Sequence, residues 1–320
     1  YRLEQEFNRQ GLRLSRQTMA NWLLNISEKW LRPVYDVLRE QLCRESVLHA
    51  DETTLQVLKE PGRKNTSDSY MWVYCSIRDA VNPIRYLEYQ PGRSGKYPEA
   101  FLREYEGYIH TDAYSGYNAV SGVKRCLCYT HLRRAFVDAL PKDIHNSEAS
   151  KPAEAILRLN QLFNIESELE ALPPDQKKKE RLIREKPLLE AFWSWAEKSA
   201  IGELPKSKLS KAFHYALNNR EGFWNYLEDG NCSISNSLAE NCIRPFVIGR
   251  KNWLFSGSPK GAEASAGIYT LVETAKANGL APMKYIKYIL SDMPGSAFLE
   301  HPEYLDDYLP WNPLVKEFCR

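Results

Sequence analysis

SVLHADETTLQVL, residues 46–58, is the stretch on which the fold turns. It is a short β-branched run bounded by polar segments, and YMWVYCSI (70–77) and IRYLEYQ (84–90) repeat the pattern beyond Gly- and Pro-containing turns. Three sequential strands are predicted. Side chains alternate along a strand, so Asp51 and Glu52 must point to opposite faces, with His49 on the face of Asp51. Only one of the two carboxylates can serve a site.

Downstream, a helix is predicted over residues 94–105 with Pro98 near its first turn. GYIHTDA (107–113) reads as a fourth strand that places His110 and Asp112 on one face, and KRCLCY (124–129) reads as a fifth. A helix through Leu132, Phe136 and Leu140 follows. Strands first, then alternating helix and strand, describe a mixed α/β sheet with helical flanks. Upstream, residues 1–45 are helical in pattern, with Gly11 as a break and Ser15 as the cap of a second helix reaching Trp30. Helix, glycine turn and helix with Arg13, Arg16 and Gln17 resembles a helix-turn-helix DNA reader. The preferred alternative is a helical hairpin packed on the core by Met19, Trp22, Leu23 and Ile26.

From 143 to 231 the strand signals stop. Helical patterns run over 153–172, 174–199 and 207–227, and the KKKER run at 177–181 reads as a solvated face. The segment is an all-helical insertion. The chain thus divides into an N-terminal helical segment (1–45), the first part of a sheet core (46–142), the insertion (143–231), the last part of the core (232–278) and a helical tail (279–320).

The last core segment opens with SNSLAENCIRPFVIGRKN, residues 235–252. Ser237-x-x-Glu240 is a capping-box pattern with Ser237 as the N-cap. Arg244, Arg250, Lys251 and Lys260 then follow with no acidic residue before Glu263. One carboxylate opening a cationic segment suits a site where a metal-held phosphate is cut while Arg and Lys grip the flanking backbone. A capped surface helix with solvated charges is the bland alternative.

The chain has 320 residues, 43% hydrophobic and 26% charged, enough to bury a substantial core. No run of 18 apolar residues occurs, which argues against a membrane span. No export signal is visible at the start, although Tyr1 in place of methionine suggests that upstream sequence is missing. Seven scattered cysteines fit reduced thiols in the cytoplasm. A net charge of +2 decides nothing, because a nucleic-acid enzyme needs only a local basic face.

Asp51 in the first strand, Asp112 closing the fourth and Glu240 opening the late helix form a candidate triad. Carboxylates converging from separate elements require a cation, and Mg²⁺ prefers such oxygen ligands. Cys128-x-x-His131, with Cys126 nearby, has no second Cys/His pair at finger spacing, so no zinc is expected. His131 then reads either as a phosphate contact or as a hydrogen-bonded structural histidine. Arg133 and Arg134 add bidentate phosphate donors. Tyr114 and Tyr117 read as cover for the sheet, with base stacking as the alternative.

The runs LHADETTLQVLKEPGRK, SYMWVY, YIHTDAYSGYNAV, CYTHLRRAF and SLAENCIRPFVIGRKNWLFSGSPKGAEASAGIYTLVETAKANG closely resemble the transposases of the insertion sequence 66 family. The resemblance covers nearly the whole chain in order. It implies a ribonuclease H-like α/β core, interrupted by an all-helical insertion, whose Asp-Asp-Glu triad falls on Asp51 in HADET, Asp112 in TDAYSGY and Glu240 in AENCIRP. It further implies a bacterial transposition enzyme using two Mg²⁺ or Mn²⁺ ions to cut transposon ends and join the freed 3′-hydroxyl to target DNA. DNA contacts are then expected from His131, Arg133, Arg134, Arg244, Arg250, Lys251 and Lys260. Transposon-end and target DNA, further copies of the chain assembled on DNA and companion proteins of the same element are the expected partners, with no membrane. The family tends to carry an Asp-Asn-Asn-type run just before the Glu, where this chain has Ser235-Asn236-Ser237. The family's longer members also carry upstream DNA-binding and zinc-binding segments that this sequence lacks. A structure-selective nuclease on the same fold and a non-catalytic DNA-binding remnant are the competing functions.

Overall fold

A computed structural model describes residues 1–141 and 150–320, so the first residues of the expected insertion, 143–149, lie outside the described residues. In chain order the elements are α1 (Arg2–Arg9), α2 (Arg16–Ile26), α3 (Arg32–Leu42), β1 (Val47–Val57), β2 (Asp68–Ser76), β3 (Arg85–Gln90), α4 (Lys96–Phe101), β4 (Gly107–Thr111), β5 (Val123–Leu127) and α5 (Tyr129–Val137). Then come α6 (Lys151–Glu168), α7 (Pro174–Arg184), α8 (Lys186–Ala200), α9 (Lys208–Asn218), α10 (Arg220–Trp224), α11 (Ser237–Trp253), β6 (Phe255–Ser256), α12 (Pro259–Ala277), α13 (Pro282–Asp292) and α14 (Pro313–Cys319). The strands make one six-stranded mixed sheet of order β3-β2-β1-β4-β5, with β6 paired to β1. The α/β expectation and all five predicted strands are met. No helix among the described residues is long and apolar enough to cross a membrane.

The contacts divide the chain into two units. The first comprises residues 1–45, 51–97 and 239–320. Its β2 and β3 pair antiparallel from Tyr70↔Gln90 to Cys75↔Arg85, and β3 is the sheet's edge. An open edge would leave N–H groups unpaired. Here α12 covers it: Thr270 Oγ1 accepts from the Leu87 N–H at 2.8 Å and Thr274 Oγ1 from the Arg85 N–H at 3.1 Å. Two threonines one helical turn apart thus cap two alternate strand residues. Gly279, at φ +71°, closes the turn after α12.

At the N-terminus the expected cap holds, and the expected core packing holds only in part, with Met19 and Ile26 half-buried. Ser15 does cap α2, its hydroxyl accepting from the Thr18 N–H at 3.1 Å. Yet Trp22 and Leu23 are exposed, and neither α1 nor α2 buries any residue fully. The buried face begins at Ser27 and Leu31 and continues through Val34, Tyr35, Leu38 and Leu42. Residues 27–31 form a π turn, whose extra residue per hydrogen-bonded turn shifts the helical phase. A stripe extrapolated at 3.6 residues per turn therefore lands on the wrong face.

The second unit comprises residues 46–50 and 98–238. Here β1 pairs parallel with β4 (Val47↔Tyr108 to His49↔His110), and β4 pairs parallel with β5 (Gly107↔Val123 to Thr111↔Leu127). The helices α5 to α10 enclose an aromatic core in which Phe136 meets Phe213 edge-on at 5.4 Å and Tyr129 meets Phe223 at 5.0 Å. Each such fully buried ring contributes about 2–3 kcal/mol. Tyr129 also donates to the Phe223 carbonyl at 2.7 Å. Gly222 permits the close approach of α10 to β5, since a Cβ there would sit 2.7 Å from the Leu127 side chain.

The expected single helix over 174–199 is two, α7 and α8, because Pro187 cannot continue the hydrogen-bond ladder and instead opens α8. The KKKER run is not wholly a solvated face either. Arg181 is fully buried, and its guanidinium forks onto Glu166 at 2.6 and 2.8 Å. Its other N–H groups donate to the carbonyls of Tyr226, Asp229 and Cys232 at 3.1, 3.1 and 2.8 Å. All five donors are satisfied, which is what a buried guanidinium requires.

Candidate functional site

In the first unit, Asp51 is half-buried on β1, and its Oδ1 accepts from the Glu52 N–H at 2.9 Å. The Glu52 side chain is 1% exposed and is held by Arg93, whose Nε lies 2.6 Å from Oε1. Of the two adjacent carboxylates, Glu52 is neutralised by an arginine. Glu240 is half-buried in the first turn of α11.

The cations after Glu240 differ in their surroundings. Arg244 and Lys251 are exposed. Arg250 reaches back to β1 and donates to Thr53 Oγ1 at 3.1 Å and Thr54 Oγ1 at 3.2 Å. Lys260 forms an ion pair with Glu28 at 2.7 Å. The acid-free run is thus acid-free only along the chain, since folding brings an N-terminal glutamate to its last member.

In the second unit, Asp112 follows β4 and turns the chain. Its Oδ1 accepts from the Tyr114 N–H at 2.9 Å, an Asx turn. Arg125 on β5 braces this loop by donating to Thr111 Oγ1 at 2.8 Å and to the carbonyls of Asp112 and Tyr114 at 2.6 and 2.7 Å. Sequence reading missed Arg125, because only the pairing of β4 with β5, which sets Arg125 opposite Ile109, lets its side chain reach Thr111 two residues on. The loop borders a cleft of about 340 Å³ that Asp112, Tyr114, His131, Arg134, Tyr215 and Asn219 help to line. Burial, and then the charge of Asp112, push the Tyr215 hydroxyl up. Tyr114 therefore lines the cleft, while Tyr117 is buried as sheet cover. Arg134 is exposed at the cleft, whereas Arg133 turns toward α6 and donates to Asn160 Oδ1 at 2.7 Å.

The segment Ser233–Asn236 is laced onto the same unit. The Ser233 N–H donates to His110 Nε2 at 3.1 Å, and His110 stacks on His49 at 4.4 Å. Asn236 is buried and donates from Nδ2 to the Ala50 carbonyl at 2.8 Å, while its Oδ1 lies 3.0 Å from His49 Nδ1. The backbone N–H of Asn236 donates to Cys128 Sγ at 3.2 Å. Burial pushes the Cys128 thiol up, but hydrogen bonds from His131 and Asn236 outweigh it and hold the thiol below its ordinary value. Ser237 is the first residue of α11 and not its N-cap, and its N–H donates to Ser235 Oγ at 3.0 Å.

Among the described residues of the second unit, one donor set stands out by geometry. His110, Cys126 and Cys232, whose ligand atoms lie within 4.8 Å of one another, offer a soft, fully buried set. Cys126 and Cys232 approach to 3.8 Å. Their distance along the chain hides this group from any spacing rule.

A family model described as transposase IS66 family matches residues 1–264. Among curated proteins, the chain is similar to the uncharacterized protein y4hP of Sinorhizobium fredii, 27% identical over 325 residues, which cover 95% of this chain and 57% of that protein. It is also similar to the uncharacterized protein y4qI of the same organism, 29% identical over 329 residues, which cover 98% of this chain and 59% of that protein. The chain spans about three fifths of the length of these curated relatives. No solved structure matches it.

Proposed function

This chain belongs to the transposase IS66 family, and on that premise we propose that it is an Asp-Asp-Glu transposase, which cuts transposon ends and transfers the freed 3′ ends into target DNA. The sheet is read as a ribonuclease H-like core interrupted by the helical insertion of residues 143–231, with helical segments at 1–45 and 279–320. The partners in this reading are end and target DNA, further copies of the chain on that DNA and companion proteins of the element, in the cytoplasm.

The observation that carries the reading is a register. His49 pairs with His110 across the parallel β1–β4 ladder, and Asp51 and Asp112 each follow two residues on. Residues two apart on a strand share a face. Asp51 lies within β1 just past its stretch paired with β4, and Asp112 follows the end of β4, the region where α/β sheets commonly place their ligands.

Asp51, Asp112 and Glu240 are the carboxylates that would hold Mg²⁺ or Mn²⁺, and their half-buried, all-oxygen donors fit such ions better than zinc. When bound, two such ions polarise the scissile phosphate and ease ionisation of the attacking oxygen. The chain's own residues supply the grip. Arg134 and His131, at the cleft beside Asp112, bind phosphate near the reacting strand, and Arg244 and Lys251 hold flanking backbone. Arg250 contributes from α11, held against Thr53 and Thr54 of β1, and Arg133 and Lys260 act more weakly because Asn160 and Glu28 engage them.

The test is cleavage of a duplex carrying the element's end, with purified protein and Mn²⁺. Asp51→Asn and Glu240→Gln are each expected to lose cleavage by orders of magnitude while keeping the wild-type melting temperature and metal-free DNA affinity. Full cleavage by either variant would remove that residue from the triad. Joining of the cut end to target DNA separates a transposase from a nuclease, and binding without cutting marks a remnant.

A further inference from the structure

The β1–β4 ladder stops at His49↔His110, so the next carbonyl of β1, that of Ala50, receives no N–H from β4 in register. A buried carbonyl needs a donor. Asn236 supplies it at 2.8 Å. The side chain is 1% exposed, so its own amide must also be satisfied at both ends. A carbonyl accepts only, which fixes Nδ2 toward Ala50 and Oδ1 toward His49. His49 must then carry its proton on Nδ1 to donate across the 3.0 Å contact. The backbone of the same residue is held by Cys128 Sγ, and Ser233 is held by His110. Both partners of the Asn236 side chain thus lie on β1, at the two residues that precede Asp51.

We propose that Asn236 is a positioning residue for the metal-binding carboxylates, acting through the backbone of β1 at Ala50 and the imidazole of His49. The inference rests on the transposase reading. Asn236 extends the ladder by one rung where the strands part, and so fixes the direction in which β1 enters Asp51. The same residue stands four positions before Glu240, so one side chain ties the approach to the late helix to the strand that carries the first aspartate. An isosteric aspartate could still accept from His49 but would set an oxygen against the Ala50 carbonyl, so the amide is specifically required.

The experiment compares wild type, Asn236→Ala, Asn236→Asp and, as a control for stability, Thr274→Val, which removes a buried cap on β3. Calorimetric Mn²⁺ binding to the full chain without DNA is measured beside the melting temperature and the Mn²⁺ concentration that half-saturates end cleavage. Supporting groups around metal ligands typically shift affinity by about 10–100-fold. Asn236→Ala and Asn236→Asp are expected to weaken Mn²⁺ binding and raise the half-saturating concentration by roughly tenfold or more. Thr274→Val should lower the melting temperature with both metal readings unchanged. Wild-type metal affinity in both Asn236 variants overturns this inference alone, as does equal weakening by Thr274→Val. A wild-type protein that binds no Mn²⁺ overturns the transposase reading and this inference with it.

Discussion

At the scale of single residues, burial separates side chains that look alike in sequence. Lys178, Lys179 and Arg181 share one basic run, yet the lysines are exposed and the arginine is sealed. Its partner Glu166 lies on the preceding helix, and the carbonyls it serves come much later, so nothing within the run distinguishes it. Glu88 is a second case, since alternation along β3 does not reveal its environment. Its Oε2 is buried without a hydrogen-bond partner, and burial pushes the carboxyl up to about 7. The sign follows from linkage. Below the ordinary value of 4.5 both folded and unfolded chains hold the proton, and Glu88 has no effect. As the pH rises toward 7, the unfolded chain ionises first and the folded state loses ground. Glu88→Gln removes that loss and should stabilise the protein by on the order of 1–3 kcal/mol at pH 8, with no gain at pH 4. Denaturant melts at the two pH values check this, and equal differences at both would contradict the burial argument.

At the scale of elements, strand existence was legible and phase was not. β1 to β5 were visible as β-branched and aromatic runs, because burial on a pleated sheet imposes that composition. Asp51, Asp112 and Glu240 could be singled out from their positions, but the neutralisation of Glu52 by Arg93 and the bracing of Asp112 by Arg125 depend on pairings invisible in one dimension. Helix phase slipped twice, at the π turn over 27–31 and at the start of α11. The second slip carries a test. Ser-x-x-Glu assigned the cap to Ser237, whereas the acceptor for the opening N–H is Ser235 Oγ, and Ser237 itself is exposed. Ser235→Ala should therefore cost about 1 kcal/mol of stability and Ser237→Ala only a few tenths. Chemical denaturation of the pair decides the register, and the reverse ranking would restore the capping box to Ser237.

At the scale of the whole molecule, charge along the chain is a poor guide to charge in space. Arg244, Arg250, Lys251 and Lys260 read as one basic exit, but the fold gives them unequal freedom. Lys260 already faces Glu28 at 2.7 Å, and Arg250 is spent on two threonine hydroxyls of β1. Arg244 and Lys251 point to solvent. DNA binding by such a face releases counterions, and each phosphate contact adds about 0.9 to the slope of log affinity against log salt. A cation already paired with a carboxylate neutralises less phosphate charge and so releases fewer of the counterions condensed on DNA. The exposed pair Lys260–Glu28 is worth little to folding, so breaking it leaves the protein stable and the comparison clean. Arg244→Ala and Lys251→Ala should each lower the slope by about 0.9, and Lys260→Ala by less than half as much. Glu28→Gln, which frees Lys260, should steepen the slope instead. Titration of end-containing duplex across a salt series measures all four. A full loss from Lys260→Ala with none from Arg244→Ala and Lys251→Ala would move the DNA path from the exposed face of α11 to the cleft that Lys260 shares with Glu28 and Arg32.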